Sequence, residues 1–305
     1  MRIRICLFHR VSDQKDPLWP PMTIQHFEKI IQHLKKKFQI IPLNEIDFNS
    51  TSVNSKKALA AICFDDGYLD NLQFAAPILE KYKCPATFFV VSDCIDSGHA
   101  TWTFQFDHSF SHTSVKELHL SAELPAEFKS AYFQSTDERI RFAKKLKPYL
   151  KTVSNTIRKE VLAELLSKFN DVEHPKTMMN WKEVNQLQSA GHLIGAHSVS
   201  HPLLASMKDE QEIQAEISGA AEKIKIETGI FPFGFAYPVG SYDERVKKIT
   251  KAAGFKMGFA VDNRIADTST DDPFALPRLE LYQENWFKTR LRMAGSIEKM
   301  KSFLK

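Results

Sequence analysis

The sequence lacks several features that would place it in a specialised class of protein. No stretch approaches the ~18 consecutive apolar residues that a membrane-spanning helix needs, and no internal repeat or low-complexity linker divides the 305 residues. The formal net charge is only +4, and no basic and aromatic recognition motif accompanies it, which argues against a nucleic-acid partner. We therefore expect a single domain spanning 1–305, long enough to bury a large core.

Cysteines are few and show no pairing pattern. None of the four, at positions Cys6, Cys63, Cys84 and Cys94, forms a C-x-x-C pair, and two lie in predicted core strands, where thiols behave as small hydrophobic groups. The first apolar stretch ends at His9, which is too short for the apolar region of a signal peptide, and no small-residue cleavage site follows. We therefore expect reduced cysteines and a cytoplasmic protein.

A short acidic motif, FDDG at 64–67, is the first chemically informative feature. It closes the apolar run 58–64, which is typical of a buried parallel strand, and ligands collect at the carboxyl ends of such strands. Two adjacent carboxylates in a dry pocket repel each other unless a cation neutralises them. One of them can then bind the metal while the other stays beside it as a base. A plain Asp-Asp-Gly turn is the alternative.

A histidine motif, HSVSH at 197–201, follows the predicted strand 192–196. The spacing of four places both imidazoles on one face of a helical turn, and imidazole is a common zinc ligand. Taken alone, the pair is equally well explained as surface or capping histidines in a chain with eleven. Together with the aspartates, it completes a set of two His and one Asp ligands plus a free carboxylate, which points to metal-assisted hydrolysis.

With these motifs the chain resembles the polysaccharide deacetylases of the NodB-homology type, carbohydrate esterase family 4. The family motif T-F-D-D-G appears here as CFDDG, and H-[ST]-x-x-H appears as HSVSH. The resemblance implies that Asp65 is the general base. It implies that Asp66, His197 and His201 bind a divalent metal, for which zinc fits a nitrogen and oxygen ligand set best.

Other stretches extend the resemblance along the chain. They are FHRV at 8–11, MMNWKEV at 178–184 and DPFALPR at 272–278, all similar to one branch of the family. The resemblance covers about residues 3–282, with a poorly matched middle near 105–175.

Two family motifs are incomplete. The third is matched only in part by AYPVG at 236–240, where the arginine that pairs with the base would fall on Ala236. By analogy, Tyr237 belongs to the substrate site and the backbone N–H of Val239 would donate to the tetrahedral oxyanion. The late Leu-Leu-His motif, which supplies a general acid, is absent because no histidine follows His201.

Two residues are candidates for the missing roles. Arg278 would orient Asp65, since a guanidinium fork suits a carboxylate, although a purely structural ion pair explains it equally well. His9 ends the first predicted strand and would lie on the same rim as the aspartates, so it is the candidate acid. A core-facing or capping histidine is the alternative for His9.

The predicted function is the hydrolysis of N-acetyl groups on a glycan or glycolipid sugar, so the expected partner is an acetylated sugar or polysaccharide. Two alternatives remain open: an esterase acting on O-acetyl groups of carbohydrate, and a non-catalytic sugar-binding descendant of the family. The same ligand set also serves Fe(II) oxygenases, but their all-β scaffold conflicts with the alternating elements predicted here.

Strands and helices alternate along the chain, which predicts right-handed βαβ units and a mostly parallel sheet. Strands are predicted at 3–8, 39–43, 58–64, 86–91, 192–196, 233–236 and 255–261, and helices at 23–38, 71–82, 181–190, 209–228 and 243–253. We expect an α/β fold, a distorted or incomplete (β/α) barrel.

Two segments stand apart from this alternation. The segment 105–175 is predicted to be a helical insertion over one rim, with helices at 137–150 and 156–169. Four aromatic side chains at its start, those of Trp102, Phe104, Phe106 and Phe110, either stack on sugars or, as we favour, pack the insertion on the barrel. The basic amphipathic segment 286–305 is predicted to be a helix docked on the barrel, and peripheral contact with an anionic membrane is the less favoured alternative.

Overall fold

The computed structural model describes residues 1–48 and 57–296. Its strands are β1 (Arg2–Phe8), β2 (Phe38–Ile40), β3 (Ala58–Phe64), β4 (Thr87–Val90), β5 (Glu117–His119), β6 (Ser130–Tyr132), β7 (Leu193–Ala196), β8 (Gly234–Ala236), β9 (Met257–Phe259), β10 (Ala266–Asp267) and β11 (Leu279–Glu280). Its α-helices are α1 (Ile24–Lys37), α2 (Ala76–Lys81), α3 (Trp102–His112), α4 (Ala126–Lys129), α5 (Thr136–Leu150), α6 (Asn155–Lys168), α7 (Trp181–Ser189), α8 (Glu210–Thr228), α9 (Glu244–Ala252) and α10 (Trp286–Met293).

One curved sheet organises the molecule. Its main path runs β10-β1-β3-β4-β7-β8-β9, with β2 paired to β3 and β11 paired to β1. Every pairing in this sheet is parallel except that of β10 with β1. The helices between the strands provide the crossovers that parallel pairing requires. The predicted α/β fold and mostly parallel sheet are confirmed.

The segment 273–281, irregular apart from the two-residue strand β11, fills the gap between the two ends of the sheet. On one side the Leu276 N–H donates to the carbonyl of Gly258 in β9, at 2.9 Å. On the other side the Leu281 N–H donates to the Leu7 carbonyl on β1, also at 2.9 Å. The barrel is therefore incomplete as a ladder of regular strands, and this segment brings its side chains into the wall of the barrel.

The central strands are buried on both faces, as their unbroken apolar sequences predict. On β3, Ile62 and Phe64 belong to the cluster that packs under the outer helices, whereas Ala61 and Cys63 belong to the cluster inside the barrel. This double burial fixes the position of each strand end, because a slip of one residue would exchange the two apolar sets. The polar residues that directly follow the strands, such as those after β3, therefore have fixed positions at the rim of the barrel.

Most boundaries lie within two residues of those predicted, and the exceptions have local causes. The strand predicted at 39–43 stops at Ile40, since Pro42 has no N–H to donate to a ladder. The helix predicted at 71–82 opens with a π-helical turn, Asn71–Ala75, before α2 begins. Pro77 lies at the start of α2, where its missing N–H is tolerated.

The insertion has an apolar cluster of its own, built from α3, α5, α6 and the antiparallel pair β5–β6. The four aromatic side chains at its start are at most 7% exposed. They pack within the protein, as favoured above. The insertion begins with α3 at Trp102, three residues before the predicted start.

The helix predicted at 286–305 is shorter in the structure: α10 ends at Met293, and Gly295 has a positive φ of 68°, which breaks the helical backbone. Trp286 packs edge-on against His33 of α1, with ring centroids 5.4 Å apart, and lies under the ammonium of Lys29 at 4.6 Å. The described part of the helix is thus docked on α1, while the predicted portion 297–305 lies outside the described residues. No helix in the described part of the chain is both long and apolar enough to cross a membrane.

Candidate metal centre

The two adjacent aspartates follow β3, as predicted. The Asp65 N–H donates to the Phe8 carbonyl at 3.1 Å, which continues the pairing of β3 with β1 by one residue. The next two residues leave the strand direction, with φ of 77° at Asp66 and 91° at Gly67. This left-handed turn is natural for Gly and tolerated by Asp. It separates the two carboxylates, so that they take different partners.

The histidine motif follows β7, but it is not the helical turn that its spacing predicts. Ser198 and His201 both have positive φ, 65° and 60°, and the segment is irregular up to a short 3-10 turn at Leu204–Ser206. The Ser198 hydroxyl accepts from the N–H of His201 at 2.9 Å and closes a tight loop. The helical interpretation of the pair was therefore wrong, although the loop still brings both imidazoles to one side.

A glutamate on α8 supports this loop from outside. Glu216 Oε2 accepts from the N–H groups of Val199 and Ser200, at 3.0 and 2.8 Å, and its other oxygen accepts from the Ser200 hydroxyl at 2.5 Å. Three hydrogen bonds to one carboxylate hold the backbone between the two histidines. The strained loop is thus held in place by α8, which lies outside the motif itself.

Three side chains converge in a buried group of potential metal ligands. Ligand atoms of Asp66, His197 and His201 all lie within 4.8 Å of one another. Asp66 Oδ1 is 3.5 Å from His197 Nε2 and 3.3 Å from His201 Nε2. Each of the three residues is at most 4% exposed. The structure therefore brings together the set that the sequence predicted.

The hydrogen bonding of this group fits a bound cation. Asp66 Oδ1 is buried without a hydrogen-bond partner. His197 Nδ1 lies 2.7 Å from the Ala236 carbonyl, so Nδ1 carries the proton and Nε2 offers its lone pair towards Asp66. Burial lowers the pKa of His197 to about 4, which keeps the ring neutral. A lone pair and a carboxylate facing each other in a dry site are compatible when a metal ion lies between them.

Asp65, the aspartate outside this ligand group, is held by an arginine from the segment 273–281. Arg278 donates from Nη1 and Nη2 to Oδ1 and Oδ2 of Asp65, at 2.7 and 2.8 Å, and its Nε donates to the Ala260 carbonyl at 3.0 Å. Both side chains are buried. Burial by itself would raise the pKa of Asp65, but the charge of Arg278 outweighs it and the pKa lies below its usual value. Asp65 is therefore an ionised carboxylate in a fixed orientation.

A cavity of about 240 Å³ opens over both aspartates. His9 lines it, with its Nδ1 3.7 Å from Glu280 Oε1 and its ring against the edge of Trp19 at 5.2 Å. Trp19 and Glu280 also line the cavity, as does Lys151, which reaches it from the insertion; none of these three was predicted from the sequence. The position of Trp19 in the proline-rich stretch that follows β1 is the one sequence signal that could have marked it.

The third motif divides its residues between cavity and core. Val239 lines the cavity and has φ of 57°, an uncommon value for a β-branched residue. Such strain is found where the surrounding structure fixes a functional backbone position. Tyr237 is fully buried, and its hydroxyl donates to the Phe274 carbonyl at 2.8 Å. Its side chain is not among the groups that line the cavity, so the substrate-site assignment of Tyr237 is not supported by its placement.

A comparison with models of protein families shows which family the chain belongs to. The family model described as "Polysaccharide deacetylase" matches residues 52–258, more than half of the chain. The chain belongs to the polysaccharide deacetylase family. Membership indicates a hydrolase that acts on acetyl groups, and the predicted resemblance is confirmed.

Solved deacetylases share the fold over nearly the whole chain. The Streptococcus pyogenes deacetylase PplD, in complex with acetate, superimposes with a TM-score of 0.64 at 16% identity, covering 96% of this chain and 98% of that one. IcaB from Ammonifex degensii gives a TM-score of 0.62 at 15% identity, covering 97% of each chain. The de-N-acetylase from Aggregatibacter actinomycetemcomitans gives 0.62 at 16% identity, covering 96% of this chain and 100% of that one. At these identities the likeness shows the polysaccharide deacetylase fold.

A curated relative matches over a shorter stretch. Chitin deacetylase 1 of Cryptococcus neoformans var. grubii is 38% identical over 65 residues, which are 21% of this chain. The match spans 14% of the length of that protein.

Proposed function

We propose that the protein is a metal-dependent hydrolase that removes N-acetyl groups from a glycan or glycolipid sugar. The observation that carries the proposal is that the two adjacent aspartates have different partners. Asp66 faces the imidazoles of His197 and His201, whereas Asp65 is ionised and held by two hydrogen bonds from the buried Arg278. A site that only binds sugar has no need of the Asp65 carboxylate beside the metal ligands. This arrangement therefore favours an enzyme over a non-catalytic, sugar-binding member of the family.

Asp66, His197 and His201 would hold the divalent ion, and zinc suits this set of nitrogen and oxygen donors. The ion would lower the pKa of a water molecule and polarise the acetyl carbonyl. The His197–Ala236 hydrogen bond would keep the imidazole in the tautomer whose Nε2 faces the centre.

Asp65 would accept the proton of the attacking water. Each oxygen of the Asp65 carboxylate accepts one hydrogen bond from Arg278. Each oxygen has a further lone pair, which is available to accept a proton. Oδ2 is 3.7 Å from His197 Nε2, so the free side of Asp65 faces the same centre as the metal ligands. Arg278 would act as a positioning residue that keeps the base ionised and oriented.

Two cavity residues would complete the reaction. The backbone N–H of Val239, held at positive φ, would donate to the oxyanion of the tetrahedral intermediate. His9 would donate a proton to the leaving amine, with Glu280 orienting its ring. Trp19, at the edge of His9, would offer an apolar face to the sugar.

Acetate release from matched acetylated glycans tests the proposal. Purified protein is assayed on N-acetylated and O-acetylated oligosaccharides, with and without a chelator, and after readdition of single divalent metals, with Asp65→Asn as the inactive control. We expect N-acetyl hydrolysis that chelation abolishes and readdition restores. Release from O-acetyl substrates alone would replace the proposal by the esterase alternative, and chelator-resistant release would overturn the metal assignment.

A further inference from the structure

A second groove lies beside the metal-binding loop, on the side of the insertion. Its volume is about 500 Å³, and residues of α3, of α6 and of the turn after β4 line it. Trp102 and Ser200 contribute to its wall, while the neighbouring residues Thr103 and His201 line the catalytic cavity. The groove therefore shares a wall with the cavity but opens on the other side of it.

Arg158 of α6 is the unusual residue of this groove. It is 2% exposed, and its guanidinium lies over the ring of Trp102 at 5.1 Å. Its Nη2 donates to the Asn155 side chain, whereas its buried Nη1 has no hydrogen-bond partner. Arg158 takes part in none of the ion pairs found among the described residues. It is thus a buried cation with an unused donor.

The nearest acidic groups do not neutralise this charge. Glu216 attracts it, but the carboxylate of Glu216 already accepts three hydrogen bonds from Val199 and Ser200. Asp93, the acidic residue in the lining, is exposed and forms no ion pair with Arg158. Burial lowers the pKa of Arg158 to about 10, the direction expected when desolvation of a cation is incompletely compensated. A buried charge without a partner is destabilising, so an anion from outside would improve the site.

The start of α6 adds positive potential at the same place. The helix begins at Asn155, which lines the groove, and its first turn has no acidic residue. Helix N-termini favour anions through their free N–H groups and their dipole. Lys159, also in the lining, adds a second cationic side chain. Three independent features therefore attract negative charge to one groove.

We propose that this groove is a binding site for an oxyanion, a phosphate or carboxylate group, held by Arg158 at the start of α6. The anion is either a substituent of the saccharide substrate or a free inorganic ion, since both present the same oxygen atoms to a guanidinium. Leu162 and Gln105 also line the groove, so it offers an apolar and a polar side chain to a sugar that carries the anion. The site goes beyond the proposed hydrolysis, and its occupancy is measurable without any turnover.

Thermal unfolding in inorganic phosphate tests the site directly. The full chain is melted across a phosphate series at constant ionic strength, with chloride as the balancing salt. We expect a saturable rise in melting temperature for the wild type. For Arg158→Gln we expect the Kd of phosphate to rise by about 10–100-fold, as for the loss of a charge-assisted hydrogen bond. Arg139→Gln is the matched control, because Arg139 is a buried arginine of the insertion that donates to backbone carbonyls and does not line the groove.

A second variant keeps the proposal testable if Arg158→Gln does not fold. Leu162 lies one turn after Arg158 on α6 and also lines the groove. Leu162→Glu would supply a carboxylate to the guanidinium at a spacing of four residues. We expect it to raise the melting temperature in chloride and to abolish the phosphate response. Leu162→Gln, of the same size without the charge, should retain that response.

The source of the anion follows from a comparison of three probes: inorganic phosphate, N-acetylglucosamine and N-acetylglucosamine 6-phosphate. Tighter binding of the sugar phosphate than of phosphate, lost in Arg158→Gln, supports the site and assigns it to a saccharide substituent. Equal binding of the two phosphates, also lost in Arg158→Gln, supports the site and assigns it to the free ion. A wild type that does not respond, or a response that persists in both Arg158→Gln and Leu162→Glu, overturns the proposal.

Discussion

Removal of the arginine that clamps Asp65 is the most informative perturbation of the catalytic site. Arg278 is 0% exposed and Asp65 is 2% exposed, and two hydrogen bonds of 2.7 and 2.8 Å join them. Arg278→Met keeps most of the side-chain length but leaves Asp65 as a buried charge without its main partner. Loss of one partner of a buried ion pair destabilises a protein by about 3–5 kcal/mol. At about 2–4 °C per kcal/mol, the melting temperature should fall by about 6–20 °C.

A double-mutant cycle separates this pair from a general loss of packing. Asp65→Asn combined with Arg278→Met removes both charges, so the double variant should be more stable than the sum of the single variants predicts. The expected coupling is about 0.5–3 kcal/mol. Unfolding by denaturant, monitored by circular dichroism, gives the four free energies. Strictly additive effects would refute the argument that the two side chains stabilise each other.

Metal content and turnover of the same variant distinguish positioning from ligation. Arg278→Met should retain its metal, because Asp65 is not in the ligand group, and should lose most of its acetate release. Arg292→Met is the matched control: it breaks the partly buried pair of Arg292 on α10 with Glu284, which precedes that helix, and both residues lie outside the cavity lining. It should lose stability without loss of turnover. Loss of metal from Arg278→Met would show that the roles of the two aspartates have been misassigned.

Three further predictions concern the cavity and the wall behind it. His9→Ala should slow N-deacetylation much more than hydrolysis of an activated aryl acetate, because only the amine needs a proton to leave. Trp19→Ala should raise KM for oligosaccharides more than it lowers kcat, because the ring offers contact area and no reacting group. Gly258→Ala should destabilise the protein by about 1–3 kcal/mol in thermal unfolding. The added Cβ would lie 2.4 Å from the Tyr237 hydroxyl oxygen and 2.6 Å from the Phe274 carbonyl oxygen.

Each of these has a control in the chain. His26→Ala removes a histidine outside the cavity lining, and equal losses on both substrates in His9→Ala would contradict the acid role. Trp286→Ala removes a tryptophan packed on α1, and an unchanged KM in Trp19→Ala would exclude sugar contact. Gly219→Ala on α8 places a Cβ at 3.1 Å from a Val199 methyl group, an easier fit, so it should be milder than Gly258→Ala.

The residues that end strands were the predictable part of the site. Apolar runs mark the strands, double burial fixes their register, and parallel pairing brings their carboxyl ends to one rim. Asp65 and His197 each follow a strand directly and Asp66 comes one residue later, so their proximity follows from the pattern alone. The fold class followed from the same alternation of strands and helices.

The loop conformations and distant contacts were not predictable in the same way. The positive φ values of Ser198 and His201 depend on bracing by α8, which nothing in the motif shows. Arg278 meets a carboxylate 213 residues away through an irregular segment, so the resemblance indicated the pair and periodicity did not.

Tyr237 illustrates a different gap between sequence and structure. Its phenol is buried because Gly258 has no Cβ to obstruct it. The sequence motif predicts where the backbone of Tyr237 lies, whereas the direction of its side chain depends on the neighbouring strand β9. The same limit applies to Trp19 and Lys151, which reach the cavity from segments outside the regular alternation.

Metal stoichiometry paired with acetate release tests the central claim most directly. Elemental analysis of the wild type should give one divalent ion per chain. His201→Ala should lose both the ion and acetate release, whereas Asp65→Asn should keep the ion and lose release by about 10²–10⁴-fold, the contribution of a general base. Full metal content in His201→Ala, or full acetate release in Asp65→Asn, would contradict the assignment of one aspartate to the metal and the other to the proton.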